Sequence, residues 1–79
     1  MTPSNRAKLE EIFKVVLDLP ANENVEEIRQ LNFSKWDSLA HVSLVSAIES
    51  EFSLSLEMED VLALTSYQAA DLLLSEKGL

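Results

Sequence analysis

Residues 33–52 read FSKWDSLAHVSLVSAIESEF, and the turn at Trp36-Asp37-Ser38-Leu39 decides how the rest of the chain is organised. Aspartate is a strong helix N-cap, because its carboxylate accepts from backbone N–H groups that the first turn leaves without partners. The chain is therefore expected to leave a loop at Asp37 and run as a helix from Ser38 to about Phe52. Leu44, Val45, Ala47, Ile48 and Phe52 form its inward stripe, and His41, Ser43, Ser46, Ser50 and Glu51 fall nearer solvent. Ser38 is then an exposed hydroxyl at the positive end of the helix dipole, a position that favours an anionic group on its oxygen.

The flanking sequence supplies further helices. Thr2 followed by Pro3 reads as an N-cap and a first-turn proline, and Leu9, Ile12, Phe13, Val16 and Leu17 recur at helical spacing. This first helix is expected to end near Asp18 or Leu19, because Pro20 disfavours helix in the residue before it. Residues 20–35 are polar and weakly periodic. Val25, Ile28, Leu31 and Phe33 read as anchors pinning a long loop, with one turn of helix over Val25–Gln30. Trp36, the one tryptophan, is expected to pack over the loop and the helix start, in preference to flanking a ligand. Phe52 to Leu56 alternates like a strand with no partner strand and reads as a connector, Leu54 or Leu56 plugging the core. A short acidic helix is expected over Glu57–Leu64. Thr65 and Ser66 cap a last helix whose inward face is Tyr67, Ala70, Leu73 and Leu74, with Gly78 as its stop.

Seventy-nine residues at 47% hydrophobic content make one domain, residues 1–79, all-α with four helices. Six basic against fourteen acidic residues leave a net charge of −8, which repels nucleic acid and favours partners that present Lys and Arg. With no cysteine there is neither a disulfide framework nor a thiolate metal site, and any thiol chemistry has to arrive on a prosthetic group. No apolar run is long enough to span a membrane and the N-terminus lacks a signal-peptide apolar core, so the expectation is a cytoplasmic monomer.

Asp37-Ser38-Leu39, the helix closing on Ile48, Glu49 and Phe52, and the element order from Leu9 to Leu74 together resemble the acyl carrier proteins. The resemblance implies a four-helix bundle with a long loop between helices one and two and a short third helix. It also implies that Ser38 carries 4′-phosphopantetheine, covalently attached from coenzyme A, with Asp37 and Leu39 completing the motif. On that reading the protein is not an enzyme. A phosphopantetheinyl transferase loads it, and it presents thioester cargo to a ligase, ketosynthase or acyltransferase in fatty-acid, polyketide or other specialised biosynthesis. Leu39, Val42, Glu49, Glu57, Glu59 and Asp60 are the expected docking residues for basic partner surfaces. Ala40, Ser43 and Ser46 stand where the family often has two acidic residues and a methionine, and Lys35 where it often has glycine. These departures leave the modification site intact and point away from fatty-acid-synthase partners towards a specialised carrier.

An aminoacyl or peptidyl carrier would use the same serine, and a small acidic interaction module without a prosthetic group is the reading from another class. Asp37, Ser38 and His41 do not make a hydrolase triad, since neighbouring residues cannot relay a proton readily and the glycines of a nucleophile elbow are missing. Calcium and zinc sites fail for want of ligand patterns, so no metal is expected, and His41 is expected to be an exposed helical residue.

Overall fold

A computed structural model describes residues 1–79 as four α-helices with no strand: α1 Pro3–Val16, α2 Ser38–Phe52, α3 Met58–Ala63 and α4 Tyr67–Glu76. Each N-terminus is set by a local polar contact. Thr2 Oγ1 accepts from Asn5 N–H at 3.1 Å, Asp37 Oδ1 from Ala40 N–H at 2.8 Å, and Ser66 Oγ from Ala69 N–H at 2.9 Å. Ser66 alone caps α4; Thr65, expected to share that role, instead offers its carbonyl to Gln30 N–H at 2.9 Å. The third helix is one residue shorter at each end than expected, with Glu57 and Leu64 as its caps.

The three longer helices end in the same way. Asp18, Ser53 and Gly78 take left-handed φ of 54°, 52° and 91°. The next residue's N–H then reaches back five positions: Leu19 to the Lys14 carbonyl at 2.8 Å, Leu54 to Glu49 at 3.1 Å, and Leu79 to Leu74 at 3.0 Å. In each case the reversing residue is followed by a leucine that folds back on the core. The end of α1 at Val16 is therefore earlier than the expected Asp18 or Leu19, and its cause is the left-handed turn at Asp18, not Pro20.

The core is a cluster of twelve buried side chains drawn from α1, α2 and α4, from the long loop between α1 and α2, and from the residues Leu17 and Leu64 that cap α1 and α3. At its centre Phe13 meets Trp36 edge-on at 5.5 Å and Tyr67 edge-on at 5.2 Å, joining α1 to the loop and to α4. Helix α2 contributes Leu44 and Ile48 fully, while Val45, Ala47 and Phe52 are half-buried. Leu54 and Leu56 both pack partly against the core.

The loop is more structured than one helical turn. It holds two short 3-10 turns, Val25–Glu27 and Gln30–Asn32, separated by extended Ile28 and Arg29. The extended step lies antiparallel to the start of α4, with Tyr67 N–H donating to the Ile28 carbonyl at 3.1 Å. Val25 and Ile28 are buried anchors and Phe33 a partial one. Leu31 is not an anchor: it is 98% exposed, because the second turn rotates it outward while Gln30 is held against Thr65. The chain ends meet, Thr2 N–H and the Asn5 side chain both donating to the Leu79 carbonyl.

Candidate functional site

Ser38 is the first residue of α2 and is exposed, and its hydroxyl makes no hydrogen bond within the chain. Asp37 Oδ1 accepts from Ala40 N–H at 2.8 Å, and no hydrogen bond joins the Asp37 carboxylate to the Ser38 hydroxyl. The arrangement is an exposed hydroxyl at a helix mouth with no side chain hydrogen-bonded to it.

Leu39 is 77% and Val42 63% exposed on α2, and on α3 Met58 and Leu62 are 73% and 70% exposed. The two helices meet through His41, whose Nε2 lies 2.9 Å from the Val61 carbonyl. The sequence marks neither Met58 nor Leu62 as a surface residue. The helix instead turns Val61 inward and these two outward.

The four carboxylates expected to dock basic partner surfaces divide into two kinds. Glu49 is half-buried and accepts from Leu56 N–H at 2.8 Å, which fixes the connector after α2. Asp60 is half-buried, accepting from Glu57 N–H at 3.1 Å and pairing with Lys77 at 3.2 Å. The bond from Glu57, then Lys77, hold its carboxyl below the ordinary 3.8. Glu57 and Glu59 are exposed and make no salt bridge. Of the expected acidic docking residues Glu59 alone has no role within the fold; Glu57 caps α3, and Glu49 and Asp60 brace it.

Compared with protein-family models, with curated proteins and with solved structures, this chain matches none. The site's chemistry therefore has to be read from its residues.

His41 is where the structure departs most from the sequence reading. It is half-buried, not exposed: Trp36 Nε1–H donates to its Nδ1 at 3.0 Å, and the two rings stack with centroids 6.0 Å apart and 23° between planes. The available sequence signal was the five-residue spacing of Trp36 and His41 across the Asp37 cap. Trp36 is 3% exposed and packs as expected. Among the described residues, no cluster of three or more potential metal ligands occurs, and no helix is long and apolar enough to cross a membrane. A groove of about 560 Å³ runs between α1 and α2, lined by Ile12, Val15, Val16 and Ala47 among others, and does not include Ser38.

Proposed function

We propose that this chain is a carrier of the acyl-carrier type, modified on Ser38 with 4′-phosphopantetheine. The observation that carries the reading is an exposed, unpartnered serine hydroxyl opening a helix capped by Asp37, within Asp-Ser-Leu. In loading, Ser38 Oγ forms a phosphodiester with the phosphopantetheine of coenzyme A and adenosine 3′,5′-bisphosphate leaves, the transferase supplying the base and magnesium. The arm brings the thiol that a cysteine-free chain lacks, and cargo travels on it as a thioester. The chain's own residues hold the attachment point. Asp37 fixes the first turn, the free N–H groups of that turn favour the phosphodiester's charge, and Leu39 and Val42 offer an apolar footing to a docking enzyme. Glu57 and Glu59, with a net charge of −8, favour an acyl-loading ligase, ketosynthase or acyltransferase with a basic docking face.

The test is incubation with coenzyme A and a broad-specificity phosphopantetheinyl transferase, read by intact mass and fragmentation. One adduct on Ser38, absent in Ser38→Ala, is expected. An unmodified chain would sink the carrier reading in favour of a small acidic interaction module, which the exposure of Leu39, Val42, Met58 and Leu62 also suits. Acceptance of an amino acid rather than an acyl group from a partner ligase would make it an aminoacyl carrier.

A further inference from the structure

Trp36, His41 and Val61 form a relay in which the chemistry of two partners fixes the state of the third. An indole N–H is a donor only and a backbone carbonyl an acceptor only. Trp36 Nε1–H points at His41 Nδ1 at 3.0 Å, and the Val61 carbonyl faces Nε2 at 2.9 Å. One protonation state of the ring satisfies both: neutral imidazole with its hydrogen on Nε2. The Nδ1–H tautomer opposes both partners, and imidazolium sets two N–H groups against each other at Trp36.

What the relay joins is unusual within this fold. Helix α3 has no fully buried residue. Apart from Leu64, the core residue at its C-cap, its attachments are polar: His41 to the Val61 carbonyl, Asp60 to Lys77, and the Glu49 clamp on Leu56 just before it. Trp36 belongs to the loop that delivers the chain to Asp37 and Ser38, and at 3% exposure its N–H has no ready access to water if His41 stops accepting.

We infer that His41 is a proton-sensitive clasp that, when neutral, ties the Trp36 loop to α3 across the Ser38 end of α2, and that protonation opens it. To part the facing N–H groups one ring has to move. Trp36 is wedged against Phe13, so the imidazole is the one to swing, and it leaves the Val61 carbonyl as it goes. The charged groups on the surrounding elements are otherwise engaged or exposed. Lys35 pairs with Asp18, Asp37 is bound to Ala40 N–H, Glu49 to Leu56 N–H and Asp60 to Lys77, while Glu57 and Glu59 are exposed. None makes an ion pair with His41 that would hold the imidazolium in place. The inference rests on these contacts and not on the carrier reading, so either stands if the other fails.

The experiment is NMR on the unmodified protein, in which one histidine and one tryptophan make the side-chain signals unambiguous. Imidazole nitrogen shifts at neutral pH should report hydrogen on Nε2; the Nδ1–H tautomer overturns the inference. As the pH is lowered and His41 gains its proton, the Trp36 indole N–H and the α3 amides should respond with one shared midpoint. Exchange of the α3 amides, corrected for intrinsic rates, should rise about tenfold. In His41→Asn the side-chain oxygen can still accept from Trp36 but cannot titrate, and both responses should vanish. In His41→Gln the longer amide can still reach the Val61 carbonyl, and α3 exchange should likewise lose its pH step. The step persisting in both variants, or in wild type a tryptophan signal that moves without α3, overturns the clasp. If both variants unfold, the shared wild-type midpoint decides: its presence supports the clasp and its absence refutes it. The α-amine of Met1 is bonded to Ser75, and acetylating it should leave the step unchanged.

Discussion

Asp37 and Ser38 are neighbours with separable duties. The carboxylate of Asp37 closes the first turn of α2 through Ala40 N–H, whereas the Ser38 hydroxyl has no partner inside the chain. Asp37→Ala is expected to lower unfolding free energy by about 1 kcal/mol, the usual loss for a removed cap. Ser38→Ala should change it by no more than about 0.5 kcal/mol, as for a surface site without such a feature. Urea denaturation followed by circular dichroism separates the two; equal losses would mean that the serine hydroxyl holds structure. That separability lets Ser38→Ala serve as a functional probe with the fold preserved.

At the scale of elements, the helices are delimited by short-range devices and differ in how they are held. The turns at Asp18, Ser53 and Gly78 share one geometry, but glycine alone adopts left-handed φ without a steric penalty. Ser53→Gly is expected to stabilise the protein by about 0.5–1 kcal/mol, the relief of φ 52° being partly offset by the freer unfolded chain. A drop in denaturation midpoint would show that Ser53 has a contact worth more than its strain. Helix α3 is the opposite case: apart from Leu64 at its C-cap, it rests on polar contacts that pH can remove. With the Asp60 carboxyl held below 3.8, its contribution is fully present above that value and lost as pH falls through the lowered one. The α3 amides should therefore show a second, acid-side loss of exchange protection below pH 3.8, absent in Asp60→Asn. If the acid-side loss survives that substitution, Asp60 is not its cause.

For the whole molecule, the aromatic cluster at the centre sets an alkaline limit. Burial, and then the nearby Asp71 and Glu10, push the Tyr67 hydroxyl up to about 12 from 10.0. The neutral phenol is the form the fold prefers, so its contribution is complete below 10.0 and disappears as pH rises towards about 12. Alkaline unfolding should track tyrosinate absorbance at 295 nm, about where that chromophore absorbs, and Tyr67→Phe should move the transition to higher pH. Loss of the fold before tyrosinate appears would place the limit elsewhere, for instance in self-repulsion of a chain at −8.

Much of this was legible in the chain itself, for a local reason. A cap is a bond between a side chain and backbone a few residues away, so Thr2, Asp37 and Ser66 announced their helices, and Asp37 fixed the α2 start at Ser38. Helical spacing likewise identified Leu9, Phe13, Leu44, Ile48, Tyr67, Ala70 and Leu74 as core. The rest required the fold. Asp and Ser in left-handed turns look like any polar loop residue, so the true end of α1 was hidden and was ascribed to Pro20. Leu31 reads as an anchor until its neighbour Gln30 is seen bound to Thr65. The sequence also placed His41 on the solvent side of α2, where helical periodicity alone puts it. Only the return of α3 brings the Val61 carbonyl to its far nitrogen, and only the tertiary fold turns Trp36 onto its near one. Side chains that bond their own turn are determined by sequence, whereas a ring bonded on both edges depends on where distant backbone comes to rest.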